Sequence, residues 1–287
     1  MPIDLIQIPY DSAQRGVRLG AGPLRFAEAG VAERLREAGH AVRETVVEAR
    51  PDFRAEIGTA FELARSTALA VRAATARGSF PLALAGNCFA SLGVLAGVGT
   101  EGTGIVWLDA HADLNTPETT VSGFLDGMAL ATATGRCWRS MAASVDGFAP
   151  VAEERVVLVG ARDLDTAEER LLDGSRMMWV SAEQLRREGP STALAGRLEA
   201  LRGRVERVYL HVDLDVHDPS EGPANAFAAP SGLTAAEVRH VIRAIAGHLP
   251  IAAAAVTAYD PAADSHGRML ATGLDLIELI AELGAGE

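Results

Sequence analysis

The sequence predicts an α/β fold built on a parallel, doubly wound β-sheet, and three observations lead to this prediction. Short β-type segments alternate with longer helical segments along the 287 residues. Several of the predicted strands are continuously apolar, as expected when helices cover both faces of a sheet. No Pro/Gly/Ser-rich linker or shift in composition divides the chain, so we expect a single domain over residues 1–287.

Each of the eight predicted strands is a short apolar segment next to a turn or a helical segment. The strands are Ile3–Pro9, Ala41–Val47, Pro81–Ala85, Gly104–Asp109, Arg155–Gly160, Met177–Val180, Arg207–Asp213 and Ala253–Ala258. The predicted helices are Gly22–Glu37, Ala55–Ala76, Ser122–Thr134, Thr166–Asp173, Ser181–Arg187, Ser191–Gly203, Thr234–Gly247 and Gly273–Glu282. In such a sheet, ligands bind beyond the carboxyl ends of the strands.

Composition argues against several classes of function. The formal net charge is −12, which is unfavourable for a general nucleic-acid or anionic-membrane surface. The apolar stretches are too short or too interrupted to span a bilayer, and the N-terminus is expected to be a first strand rather than a targeting segment. Cys88 and Cys137 lie far apart and form no disulfide framework, so a reducing, cytoplasmic compartment is expected.

Acidic residues and a histidine follow two of the predicted strands, at intervals of two residues: Asp109, His111, Asp113, Asp213 and Asp215. Residues two apart in an extended chain share one face. Four converging carboxylates would repel one another, and a pair of divalent cations would offset that repulsion. Oxygen ligands with an imidazole favour Mn²⁺ over a thiolate-rich zinc site. The alternative interpretation is a set of solvated turn residues.

Other histidines are less informative. His211 precedes Asp213, and we expect it on the opposite face of the strand, packed rather than ligating. His217 and His266 remain open as residues of a binding pocket.

Three segments carry a family resemblance: DAHADLNTPETTVSGFLDG, GARDLDTAEE and DLDVHDPS, together with QRGVRLGAGPLRFAEAGV near the N-terminus. In these segments the chain resembles the ureohydrolases, the family of arginases, agmatinases and formiminoglutamases. The resemblance covers most of the chain. It implies a three-layer α/β/α sandwich around an eight-stranded parallel sheet, two Mn²⁺ ions per chain, a small amino-acid substrate, and assembly as a homo-trimer or hexamer.

Matched position by position, the resemblance also implies roles for the ligand residues. Asp109 and Asp213 match the ligands that bridge the two ions. His111 and Asp215 match the remaining ligands of one ion, and Asp113 matches a ligand of the other.

The resemblance further implies a grip on the two ends of an α-amino acid. In arginases the matching segments hold the α-carboxylate and α-amino groups, and the corresponding residues here are Asn115, Ser122, Asp165 and Glu168. Without the resemblance, Asp165 and Glu168 would be interpreted as ordinary acids at a helix N-terminus.

The chain departs from the family pattern at the end that holds the guanidinium group. Cys88 stands where a histidine would complete the shell of the second ion, and Asp126 stands where a histidine is thought to shuttle protons. Phe124 replaces an asparagine, and Asn225 replaces a threonine near the reacting group. Ala258 replaces the glutamate that pairs with the guanidinium. The residues that would hold the amino-acid end of the substrate therefore match the family pattern, whereas those at the head-group end do not.

These departures bear on the substrate. A guanidinium is a permanent cation, and losing its buried carboxylate partner costs several kcal/mol, unless Asp126 or Asp260 substitutes. N-hydroxylation lowers guanidine basicity, and similar ureohydrolases that act on N-ω-hydroxy-arginine share the cysteine at position 88 and the NTPETT segment. The leading hypothesis is therefore hydrolysis of N-ω-hydroxy-L-arginine or another arginine-like substrate by a dinuclear metal site.

The implied mechanism is metal-assisted attack of water on the amidine-type carbon. Asp113 orients that water, and Asp126 carries the proton to the leaving amine if neighbouring carboxylates raise its pKa. Cys88 either ligates the second ion as a thiolate or stays neutral and leaves that ion weakly held, and a small buried hydrophobe unconnected with the site is its third interpretation.

Two alternatives to the leading hypothesis stay open. One is an ordinary arginase or a formiminoglutamase-type hydrolase. The other is a catalytically silent homologue that binds a metal or an amino acid, although the retention of five ligand positions argues against it.

Overall fold

Eight parallel strands form the central sheet of the computed structural model, which describes residues 1–50 and 55–286. The strands in this part of the chain are β1 (Ile3–Ile8), β2 (Tyr10–Asp11), β3 (Gln14–Arg15), β4 (Val42–Val46), β5 (Phe80–Ala85), β6 (Thr103–Leu108), β7 (Val156–Val159), β8 (Met178–Val180), β9 (Arg207–Asp213) and β10 (Ile251–Thr257). The helices are α1 (Ala21–Glu28), α2 (Val31–Glu37), α3 (Glu56–Ala76), α4 (Ser91–Val98), α5 (Ala129–Ala133), α6 (Arg139–Ala142), α7 (Thr166–Asp173), α8 (Ala182–Glu188), α9 (Pro190–Arg202), α10 (Ala235–Ala246) and α11 (Arg268–Ala285).

The sheet has the strand order β4-β1-β5-β10-β9-β6-β7-β8, while β2 and β3 pair in a short antiparallel hairpin. All eight predicted strands are present, and each begins and ends within two residues of its prediction. The fold class predicted from the sequence is confirmed. The four central strands β5, β10, β9 and β6 bring together chain segments that lie far apart in sequence.

Helices cover both faces of the sheet and create two separate cores. Side chains alternate between them along each strand, because successive residues of a strand point to opposite faces. Val106 and Leu108 pack into one core, whereas Ile105 and Trp107 pack into the other. Burial on both faces explains why the strands are continuously apolar. Among the described residues, no helix combines the length and apolar character that crossing a bilayer requires.

Three predicted helices differ from the structure, one of them only in length: the predicted Gly273–Glu282 is part of the longer α11, Arg268–Ala285. The segment Gly22–Glu37 forms two helices, because Gly30 adopts a left-handed conformation with φ +78° between them. The segment Ser122–Thr134 begins as a loop, and its helical structure starts at Asp126 with a 3₁₀ turn. In that loop the hydroxyl of Ser122 accepts a hydrogen bond from the Phe124 backbone N–H, and such local bonds compete with helix formation.

Gly86 fixes the chain between β5 and the segment that carries Cys88. A Cβ atom at position 86 would lie 2.2 Å from the carbonyl oxygen of Tyr10 and 2.8 Å from the Cα of Gly20. Because these neighbours are backbone atoms, they cannot rotate away. The absence of a side chain therefore permits the close approach that places Cys88 at the sheet edge.

We expect Gly86→Ala to lower the free energy of unfolding by about 1–3 kcal/mol or more, because the added methyl group overpacks a backbone contact. Gly196→Ala is the matched control, since a Cβ at Gly196 within α9 meets nothing within 4 Å. That control should stabilise the protein by about 0.5–1 kcal/mol. Urea unfolding measures both changes, and equal stability of the two variants would contradict the packing argument.

Candidate active site

Four neighbouring strands end at the edge of the sheet where the predicted site residues lie. Asp109 directly follows β6, and Asp213 ends β9. Cys88 follows β5, and Ala258 follows β10. Because all four strands are parallel, their carboxyl ends meet at this edge. The structure thus brings the predicted ligand segments together.

A cleft of about 310 Å³ opens at this edge. The predicted site residues that line it are Cys88, His111, Asp113, Asn115, Ser122, Asp126, Asp165, Glu168, Asp213, Asp215 and Asn225. Asp109 lies beneath the cleft and is fully buried. His217 and His266 do not belong to the lining.

Asp109 belongs to two groups of potential metal ligands. Its Oδ1 lies 3.3 Å from Nδ1 of His111, and the same nitrogen lies 3.5 Å from Oδ2 of Asp215. The ligand atoms of these three residues all lie within 4.8 Å of one another. A second group with the same spacing consists of Cys88, Asp109 and His211. Because Asp109 belongs to both groups, it lies where a ligand that bridges two metal ions would have to lie.

Asp113 provides a direct test of whether the site fits a cation. Its side chain is buried, and its Oδ2 has no hydrogen-bond partner among the described residues. Its backbone is held at φ +51°, in the left-handed region that non-glycine residues rarely adopt. A buried carboxylate oxygen without a partner is costly unless a cation or a proton satisfies it. The residues present therefore fit a centre that binds divalent metal ions.

The electrostatics of the cluster point the same way. Burial, together with neighbouring carboxylates, raises the pKa values of Asp113 and Asp213 well above their usual range. Burial opposes a charge on His111, but Asp215 and Asp109 outweigh it and raise the His111 pKa to about 10. The acids thus retain protons in the absence of other cations, and metal ions would displace those protons.

Cys88 is a neutral thiol in direct contact with the acidic cluster. Its Sγ donates to Oδ2 of Asp213 at 3.0 Å and lies 3.2 Å from the hydroxyl of Thr257. Burial is the main cause that raises its pKa well above the usual value, and the nearby Asp213 adds to it. The side chain is 2% exposed but lines the cleft, so it belongs to the site.

The expectation that His211 lies on the opposite face from Asp213 is wrong. Residues two apart along a strand share a face. Nε2 of His211 lies 3.3 Å from the hydroxyl of Thr257, which also contacts Cys88. Full burial holds the pKa of His211 well below its usual value, so the imidazole is neutral. The spacing of two residues was the sequence signal for this placement.

Asp126 is held in a fixed orientation at the cleft. Its Oδ1 accepts from the Phe89 backbone N–H at 2.8 Å, and its Oδ2 accepts from the Asn87 amide at 2.9 Å. Burial raises its pKa to about 7, partly offset by these hydrogen bonds. A carboxyl group with such a pKa can both hold and release a proton near neutral pH.

At the opposite end of the cleft, the predicted amino-acid grip forms one connected unit. The Asn115 amide donates to Oδ2 of Asp165 at 3.0 Å. Both Glu168 oxygens accept backbone N–H groups, from Leu114 and from Asp165. The helix-end role considered for Glu168 is therefore realised, and its carboxylate links the backbone of Leu114, the residue before Asn115, to that of Asp165. Ser122 lies exposed on the rim.

Asn225 supports a ligand residue from behind. Its amide donates to Oδ2 of Asp215 at 3.2 Å and to the Ala258 carbonyl at 2.8 Å. Phe227, which the sequence motifs did not indicate, stacks on Phe124 with ring centroids 5.6 Å apart at the cleft. The available sequence signal was a phenylalanine two residues after Asn225, in a segment of otherwise small residues.

Comparison with known proteins agrees with this architecture. The Arginase family model matches residues 1–282. An arginase of Bacillus caldovelox is 30% identical over 96% of both chains, and its native crystal structure superposes with a TM-score of 0.88 over the whole of this chain and 98% of the other. An N(omega)-hydroxy-L-arginine amidinohydrolase of Streptomyces lavendulae is 34% identical over 85% of this chain and 84% of its own.

The fold and its acid-lined cleft define the class of metal-dependent hydrolases that use an arginase-like α/β sheet. Within that class, the chain belongs to the arginase family. The resemblance seen in the sequence motifs is thereby confirmed.

Replacing Cys88 by histidine should raise the affinity for Mn²⁺ by about tenfold or more, the scale on which changes around metal ligands act. Mn²⁺ prefers imidazole and oxygen ligands to a thiolate. Calorimetric titration of Mn²⁺ into the metal-free wild type and Cys88→His measures the difference. Cys137→Ser, which changes the other buried cysteine away from the cleft, should leave the affinity unchanged. Identical affinities for all three proteins would show that Cys88 does not contact the ion.

Proposed function

We propose that this chain hydrolyses a C–N bond in the guanidino-type group of an α-amino acid, with N-ω-hydroxy-L-arginine as the leading substrate. The observation that carries the proposal is Ala258, which lines the cleft where the family pattern has the glutamate partner of a guanidinium. Asp260 does not substitute for it, because its side chain accepts from the Ala262 backbone N–H and lies outside the cleft lining. A head group less basic than guanidinium suits this end of the site.

Asp126 is the remaining acid that could face the head group. Its two oxygens already accept hydrogen bonds from Phe89 and Asn87, and its pKa of about 7 makes it a poor permanent anion. A fixed cation would therefore lack a fully charged partner here. A hydroxyguanidine, which is less basic, needs that partner less.

The relatives support two substrates. The amidinohydrolase of Streptomyces lavendulae is named for N(omega)-hydroxy-L-arginine, and it shares 34% identity with this chain. Arginases at 30% identity make ordinary arginine hydrolysis the second candidate.

Residues at one end of the cleft would act on the head group of the substrate, and residues at the other end would hold its amino-acid part. Asp109, His111, Asp113, Asp213, Asp215 and Cys88 would hold divalent metal ions, and the chemistry such ions would supply is an activated water and a polarised head group. Asp113 orients that water with its otherwise unpartnered Oδ2. Asp126 carries a proton to the nitrogen that leaves, because its pKa of about 7 allows both proton states. An arginine-like substrate would yield ornithine.

The amino-acid end of the substrate would be held by Asn115, Ser122 and Asp165. Asn115 bonds to Asp165, and Glu168 ties the Asp165 backbone to that of Leu114. Asn225 would steady Asp215 and the floor of the head-group end. Rigid positioning of this kind lowers the entropic barrier of the reaction.

We further propose Mn²⁺ as the natural ion, a homo-oligomer as the working form, and the cytoplasm as the compartment. The whole chain would act as a single domain, without a nucleic-acid or membrane partner. A silent homologue remains the alternative from a different class, and metal content separates the two: about two ions per chain in protein purified without added metal supports the enzyme, and none supports the silent form.

Activity against a panel of substrates tests the proposal directly. N-ω-hydroxy-L-arginine should be turned over more efficiently than arginine, and both should exceed agmatine, because agmatine lacks the carboxylate that the grip recognises. The measurement is release of hydroxyurea, urea or ammonia, with formiminoglutamate as a further test compound. Turnover of agmatine without turnover of any α-amino acid would contradict the assignment of Asn115, Ser122 and Asp165.

Ala258→Glu should shift the preference towards arginine. The new carboxylate would pair with the guanidinium, and the ratio of kcat/KM for arginine over N-ω-hydroxy-L-arginine should rise by about tenfold, which corresponds to about 1.4 kcal/mol. Ala258→Gln has the same size without the charge and should leave the ratio close to that of the wild type. A similar rise in both variants would assign the effect to volume rather than to charge.

A further inference from the structure

We propose that His211 restores the imidazole that is missing at position 88, so that Cys88, Asp109 and His211 form a binding site for one divalent ion of the softer kind, Zn²⁺ or Co²⁺. The site shares Cys88 and Asp109 with the ligand set of the proposed function and adds His211 to it. The inference rests on that function for its location only. Binding of the ion, rather than turnover, is the claim.

The three donors come from the carboxyl-terminal ends of separate strands: β9 and β6 are neighbours in the sheet, and β5 is separated from β9 by β10. Their ligand atoms all lie within 4.8 Å of one another, and all three side chains are buried. In a tetrahedral site with metal–ligand bonds of 2.0–2.3 Å, ligand atoms are about 3.3–3.8 Å apart. The donors therefore need to approach one another by at most about 1.5 Å.

His211 is held in the manner of a metal ligand. Its Nδ1 lies 2.8 Å from the hydroxyl of Tyr209, which fixes one nitrogen and leaves Nε2 for another partner. The ring stacks on Trp107 with centroids 3.5 Å apart and planes 8° from parallel. The contact of Nε2 with the Thr257 hydroxyl is long, at 3.3 Å, so a metal ion would displace a weak interaction.

The same tryptophan orients the second donor. Nε1 of Trp107 donates to Oδ2 of Asp109 at 2.9 Å. One buried indole thus positions both the carboxylate and the imidazole, in the way that residues around a metal site commonly orient its ligands. A purely apolar packing role for His211 would not need this arrangement.

Binding of the ion deprotonates Cys88 and displaces any proton that the acidic cluster holds. The Sγ–H bond of Cys88, which now donates to Asp213, breaks as the Sγ–metal bond forms, and the proton passes to the solvent. His211 is already neutral and gives up no proton. Asp213 loses a hydrogen bond and becomes free to ligate. No electron transfer is involved. A thiolate, an imidazole and a carboxylate together favour Zn²⁺ or Co²⁺ over Mn²⁺.

Absorption spectra of Co²⁺ bound to the metal-free protein test the proposal. The wild type should show a thiolate-to-cobalt charge-transfer band and the visible bands of low-coordinate Co²⁺. Cys88→Ser should abolish the charge-transfer band, and His211→Gln should weaken binding at this site by about tenfold or more. Matched controls are Cys137→Ser and His217→Gln, which change a second buried cysteine and a second buried histidine outside the cleft lining.

Two results would overturn the proposal: no charge-transfer band in the wild type, or a spectrum and affinity of His211→Gln equal to those of the wild type. Because His211 is buried against Trp107, thermal unfolding must show that the variant folds. If it does not, X-ray absorption of the wild type with one equivalent of Zn²⁺ decides the question, and scattering that lacks either sulfur or imidazole refutes the site.

These outcomes are distinct from failure of the proposed function. Absence of turnover on every substrate of the panel, with the Co²⁺ spectrum as expected, leaves this ion site standing. Turnover of N-ω-hydroxy-L-arginine with an unchanged spectrum in His211→Gln refutes the ion site and leaves the function in place.

Discussion

Repulsion among buried carboxylates is the constraint on which the rest of this structure depends. Asp109, Asp113, Asp213 and Asp215 are each at most 6% exposed, and taking such groups out of water as anions costs several kcal/mol for each. A fold tolerates this only if cations or protons reach the cluster. The parallel sheet supplies the rigid frame, because its central strands are buried on both faces and end at one edge.

The same repulsion explains why several neighbouring side chains form hydrogen bonds that hold the acidic residues and the predicted substrate-binding residues in place. Asn225 braces Asp215, Trp107 braces Asp109, and Glu168 ties the backbone of Leu114 to that of Asp165. None of these contacts adds charge compensation. Each restricts a ligand or a grip residue to one orientation, which is what a site must do when small displacements change both metal affinity and reactivity.

Sequence patterns predicted the parts of this site that depend on local spacing. Asp109, His111 and Asp113 follow an apolar strand at intervals of two, and that spacing alone was enough to indicate a cluster. Contacts across the sheet were beyond such reasoning. Cys88 meets Asp213 and Thr257 because the strand order places β10 between β5 and β9, and nothing in the sequence states that order. The prediction that a helix begins at Ser122 was wrong for a different reason. Side-chain hydroxyls in the loop before Asp126 accept hydrogen bonds from backbone N–H groups, and these bonds compete with those of a helix.

The departures from the family pattern also make sense as a set when their charges are counted. If Cys88 binds an ion as the thiolate proposed above, it would add one negative charge relative to a neutral imidazole, and Ala258 in place of glutamate removes one. Asp126 adds a charge only when it is deprotonated, and its pKa of about 7 keeps it partly neutral. The total charge around the ions therefore stays close to that of the family pattern. What changes is its location: negative charge moves from the head-group wall to the ligands beneath the cleft. Under the two proposals above, such a cleft would hold its ions with softer donors and present a less anionic wall to the substrate, so that one redistribution of charge would account for both the proposed ion preference and the proposed head group.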